Sequence, residues 1–201
     1  MNKNISTKKG MSFVEMIIAI AIFSLLMVGI SMFFAKSWKN YNYVMDTSSS
    51  SISAKQTIDN MVNIIRKARN ADNGNYPIKS ADDNDLIIYS DYDKDGITEK
   101  LHYYLNEENL MLGISKPSGM PLVYPSGDSN VVTIVENVIN GSQPIFQYYD
   151  GSNNIIGNPS ISIAGIRMIK ISLTIKSKTA NNLNIESFAS IRNLNEHDTI
   201  Q

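Results

Sequence analysis

The chain has 201 residues, enough for one globular domain and an anchoring segment. Its 18 Lys and Arg against 19 Asp and Glu leave a formal net charge of −1, so the charge balance points to neither nucleic acid nor an acidic substrate. It has no cysteine, which excludes thiol catalysis, thiolate metal sites and disulfide bridges, and two histidines, His102 and His197, are too few for a His-rich metal site.

Residues 1–10 read MNKNISTKKG, a short basic stretch with Lys3, Lys8 and Lys9 that ends in Gly10. From Met11 to Ala35 the chain is apolar, and Glu15 is the single charge in it. At ~1.5 Å per residue, this run of about 25 residues reaches about 37 Å as a helix, enough to cross a hydrocarbon core of ~30 Å. The lysines before the run favour a cytoplasmic N-terminus, with residues 36–201 outside the membrane. An ordinary secretory signal has a shorter apolar region with the cleavage site after it. Here the small residue, Gly10, comes first, so a cut there removes the basic leader and keeps the helix. A carboxylate at Glu15 is costly in an apolar segment, less so near its end, and such groups have a partner or a role.

Basic leader, glycine, the MSFVE sequence and a long Ile/Ala/Leu/Phe run together resemble the amino-terminal signal of type IV prepilins and pseudopilins. The resemblance covers about the first forty residues. It implies that a prepilin peptidase cuts after Gly10 and that the new terminus, Met11, is N-methylated. The first residue of the mature family members is most often Phe; here it is Met. Glu15 then stands at the family's fifth mature position, where its carboxylate is expected to meet the terminal amine of Met11 on a neighbouring subunit. The partners implied are other pilins or pseudopilins, an inner-membrane assembly platform, and membrane lipid before assembly.

Trp38, Tyr41 and Met45, and then Ala54, Ile58, Met61, Ile65 and Ala68, form two groups at spacings of three and four, which predicts that the helix continues to about residue 70. The run at 48–51, four serines, has modest helix propensity and reads as a soft joint. Residues 72–77, DNGNYP, end the helix. Beyond residue 80, alternation and β-branched residues predict strands at 85–90, 100–105, 109–115, 131–139, 145–150 and 166–178, and a partner strand at 184–194. The strands 131–139 and 145–150 are joined by Asn-Gly-Ser, and apolar residues on both faces of 166–178 mark it as central. The expected fold class is α+β, one antiparallel sheet packed on the outer half of one long helix. The expected organisation is a leader at 1–10, an anchor at 11–35, an amphipathic helical half at 36–71 and an extracytoplasmic sheet domain at 72–201. Segment order after residue 80 is also similar to the J-type minor pseudopilins and the minor pilins of Gram-positive bacteria, which implies a place at a filament tip.

The segment DYDKDGITE, 91–99, is read in two ways. Asp91, Asp93, Asp95, Gly96 and Glu99 match the early positions of an EF-hand-type calcium loop, in which oxygen ligands recur at every second residue. Its twelfth position holds His102 where the loop needs a glutamate, and the simpler reading is a β-hairpin turn. No cofactor is required; calcium at Asp91, Asp93 and Asp95 is the one candidate. No nucleophile elbow, phosphate loop or clustered catalytic set is present, so the chain reads as a structural subunit and not an enzyme. The competing reading is a membrane-anchored extracellular domain acting as a calcium-dependent adhesin.

Overall fold

The structure, a computed structural model, describes residues 10–176 and 182–195; the side chains of 42–51, 193 and 195 lie outside that description. The leader lysines, His197 and the end of the predicted strand at 177–178 fall outside it too. Helix α1 spans Phe13–Arg66 and runs through the four serines without a break. The chain forms two compact units, Met1–Asp46 and Thr47–Gln201.

The second unit is α+β. The strands are β1 (Ile78–Ala81), β2 (Asp85–Ser90), β3 (Glu99–Asn106), β4 (Asn109–Ser115), β5 (Asn130–Val135), β6 (Phe146–Tyr149), β7 (Met168–Ile175) and β8 (Leu183–Ser190). They make two antiparallel sheets, where one was expected: β1-β2-β3-β4-β5 and β6-β7-β8. From α1, Ala54, Ile58, Met61, Val62 and Ile65 are buried, a stripe at helical spacing. They share one core with Leu86 and Ile88, Leu101 and Tyr103, Leu110 and Leu112 of the first sheet. Phe146, Tyr148, Ile169, Ile171 and Leu173 of the second sheet close the same core. These pairs sit two residues apart because successive strand side chains face opposite ways. At ~25 cal/mol per Å² of apolar surface, full burial of each Leu or Ile contributes roughly 1.5–3 kcal/mol, which makes this cluster the main source of the unit's stability.

The division into two sheets has a local cause. The predicted strand 131–139 ends at Val135, and Asn137 takes a positive φ of 58°. The segment after it leaves β4 and lies along β7, with Ile139 N–H donating to Thr174 O at 2.7 Å and Lys176 N–H to Asn137 O at 2.9 Å. The buried Asn140 amide substitutes for backbone there, donating to Ser172 O and accepting from Thr174 N–H, both at 2.7 Å. Strands β5 and β6 therefore belong to different sheets and do not pair. Strand β1 was not predicted, because Ile78 and Ala81 alone carry its apolar pattern and a bulge between Ile78 and Ser80 breaks the period. Helix α1 stops at Arg66, short of residue 70, where Arg69 N–H turns to Tyr89 O at 3.0 Å and draws the chain onto β2.

The loop between β4 and β5 is fastened to β3 by two of that strand's side chains. Buried Lys100 donates to the carbonyls of Pro125, Ser126 and Gly127 at 2.9, 3.3 and 2.8 Å and lies 3.3 Å from Asp128. His102 bridges Asp128 at 2.8 Å and Asp85 at 2.7 Å. Residue 113, paired across from His102, must be glycine for this: a Cβ there would lie 2.3 Å from Asp128 Cγ. Gly113→Ala is expected to expel Asp128 and leave Lys100 buried without its carboxylate. The cost, by the usual worth of an interaction with a charged partner, is about 1.5–3 kcal/mol, measured by denaturant unfolding of the intact protein in detergent.

Candidate functional site

The amino-terminal unit is organised by what its helix exposes. The stretch Phe13–Tyr41, 29 residues, is apolar and long enough to cross a membrane, and 0% of its most apolar window is buried. Two of its hydroxyls are satisfied within the helix, as an apolar medium requires: Ser24 donates back to Ile20 O at 2.7 Å and Ser31 to Met27 O at 2.8 Å. Trp38 and Tyr41 are exposed near its end with Lys36 and Lys39, the side chains that suit a membrane–water interface.

At its start, Gly10 and Met11 are exposed and precede the helix. Ser12 is the residue before helix α1, and its carbonyl accepts from Met16 N–H at 3.1 Å. Glu15 reaches back, its Oε2 accepting from Ser12 N–H at 3.2 Å. That is the carboxylate half of a capping box, and a negative charge there is favoured by the helix dipole. The S-x-x-E spacing that signals it was present in the sequence and was not read. Glu15 thus has a local partner within its own chain.

The acidic segment 91–98 is the connection of the β2–β3 hairpin, as the simpler reading had it. Lys94 and Gly96 supply positive φ, 62° and 91°. The loop is held from outside: Arg69 donates to Thr98 Oγ1 at 2.9 Å and to Gly96 O at 2.8 Å, and Asp72 accepts from both Thr98 N–H and its hydroxyl. Tyr124 donates to Thr98 O at 2.7 Å. Of the expected calcium residues, Asp91 and Asp93 come together with Glu99, their ligand atoms within 4.8 Å of one another, and Asp95 is not part of that group. Asp95 pairs with Lys116 at 2.5 Å, and Lys116 also lies 2.8 Å from Asp93 and 3.5 Å from Glu99. The hydrogen bond from Lys116, followed by that from Ile97 N–H, holds the Asp95 carboxyl below its usual range. Burial, the largest cause, pushes the Glu99 carboxyl up.

A separate cavity of about 590 Å³ is lined by Asp82, Asp83, Asp85, Tyr104, Asn158 and Ser160. The Ser160 hydroxyl is engaged by Ala81 O and Asp82, and the imidazole of His102 is taken by Asp85 and Asp128. The two therefore do not form a nucleophile–base pair.

The apolar amino-terminal helix and the α+β unit fit the class of single-pass, membrane-anchored proteins. A family model described as the prokaryotic N-terminal methylation motif matches residues 5–31, a stretch that contains Gly10, Met11 and Glu15. The match covers that amino-terminal stretch alone and supports the resemblance to type IV prepilins and pseudopilins. No curated protein matches the chain.

One consequence of the hairpin's charges is measurable. A depressed carboxyl contributes stability above its unfolded-state pKa and loses it as pH falls through its lower folded value. Lys116→Met is expected to return Asp95 toward the ordinary carboxylate range and move that loss to higher pH, followed by carboxyl carbon chemical shifts across an acid titration.

Proposed function

We propose that the chain is a minor subunit of a type IV pilus or a related secretion pseudopilus. In this reading residues 1–10 are a leader cut away after Gly10, and Met11 becomes the methylated terminus. Residues 11–35 are the membrane and filament-core half of the helix, 36–71 its amphipathic half, and 72–201 the extracytoplasmic domain. The observation that carries the reading is the apolar stretch Phe13–Tyr41, wholly uncovered and preceded by Gly10 where a secretory signal would have its cut at the far end. Such a surface needs lipid before assembly and neighbouring helices after it. The size of the second unit and its long loops support a minor component over an abundant one.

Glu15 is the assembly residue. Cleavage creates a positive amine at Met11, so the partner of the carboxylate exists only in processed chains. The capping bond from Ser12 N–H keeps the carboxylate at the helix start, where an amine from a neighbour would be met. Pairing offsets the desolvation of both ions, and an amine left without its counter-charge costs several kcal/mol.

Glu15→Gln separates charge from capping, because the amide still accepts from Ser12 N–H. Expressed beside the wild type, it is expected to reach the membrane and be cut at normal levels. Its recovery in sheared filaments, or with co-purified minor subunits, should fall at least about tenfold, the factor that corresponds to ~1.4 kcal/mol. Incorporation at the wild-type level would rule out the pairing role. Deletion of the gene, scored for filaments, secretion and transformation, assigns the system.

A further inference from the structure

Three carboxylates converge at the foot of the β2–β3 hairpin, and two of them carry buried oxygens that accept no hydrogen bond. Glu99, the first residue of β3, has a side chain only 1% exposed. Its Oε2 accepts from Tyr92 N–H at 2.8 Å, but its Oε1 is buried and without a hydrogen-bond partner. Asp91 Oδ1 is in the same condition, while Asp91 Oδ2 lies 3.7 Å from Arg69. An unsatisfied buried oxygen on an ionised group costs more than the ~1–3 kcal/mol of a neutral one. Two of them in one cluster point to a missing positive partner.

Lys116 does not fill that place. It is seated on Asp93 and Asp95, and it stands 3.5 Å from Glu99 Oε1 without a hydrogen bond to it. The four carboxylates Asp91, Asp93, Asp95 and Glu99 are thus met by one ammonium and by the Arg69 guanidinium on the Asp91 side.

We propose that Asp91, Asp93 and Glu99 bind a calcium ion, with Lys116 left on Asp95. The donor set is all carboxylate oxygen, with no imidazole or thiolate, which selects a hard divalent cation over zinc or copper. Calcium–oxygen distances of ~2.3–2.6 Å place opposite ligands about 5 Å apart. The three ligand atoms, all within 4.8 Å of one another, meet that limit as they stand. Asp93 is the shared residue, held by Lys116 through Oδ2 and accepting weakly from Asp95 N–H through Oδ1. The ion would tie the start of β3 to the loop before it, in addition to the contacts that Arg69 and Asp72 already make.

The test is calorimetric titration of the full chain in detergent micelles with calcium chloride. Binding is expected with a Kd of about 10⁻⁴–10⁻³ M, the range of extracellular calcium modules. Glu99→Gln should weaken it at least tenfold, and Lys116→Met, which removes the competing ammonium, should tighten it several-fold. Asp91→Asn, at a partly exposed position, gives a second ligand variant if Glu99→Gln does not fold by circular dichroism, and should weaken binding by a similar factor. No heat from the wild type at about 10 mM calcium, a concentration well above that range, overturns the proposal. So does binding that survives unchanged in folded ligand variants, since the ion would then sit elsewhere. None of these results bears on leader cleavage or on Glu15.

Discussion

The amino-terminal unit is governed by a helical surface that water solvates poorly. The stretch Phe13–Tyr41 presents Phe, Ile, Leu, Met and Val side chains on all sides, and none of them is buried among the described residues. A helix satisfies its own backbone bonds, so it can lie in lipid or among other helices with equal ease. That indifference is what a subunit needs if it is to leave a bilayer for a filament. The same helix, further along, changes character: Ala54, Ile58, Met61, Val62 and Ile65 form a stripe that two sheets cover.

Glu15 is the single charge between Met11 and Ala35. Its carboxylate accepts from Ser12 N–H and sits where the helix dipole favours negative charge. A capping role alone would make it a local feature of helix start. An assembly role needs a second positive group, and processing at Gly10 would generate one beside it. The two roles do not compete for the same property: capping needs an acceptor, assembly needs a charge.

The amino-terminal segment was legible because its signals are one-dimensional. Leader, glycine, glutamate spacing and apolar length are read directly along the chain, and the methylation-motif match over residues 5–31 falls on the same stretch. Strands β2, β3, β4, β7 and β8 were legible through alternation, which follows from side chains facing opposite ways. What the sequence hid was non-local. The crossover at Asn137–Asn140 depends on an amide standing in for backbone beside β7, and β1 on a bulge that breaks its period. The acidic hairpin shows the same limit: Lys116, distant in sequence, pairs with Asp95, and the carboxylate that lies with those of Asp91 and Asp93 is Glu99. Gly113, opposite His102, is likewise intelligible only once Asp128 is seen to lie over it.

In the proposed reading the helix stays and the leader goes. Mass spectrometry of the protein isolated from its native cell, with the amino-terminal peptide sequenced, tests it most directly. The expected chain begins at Met11 and carries one methyl group on its amine. A chain that still begins at Met1, or one cut after Ala35 so that the apolar helix is lost, would contradict it.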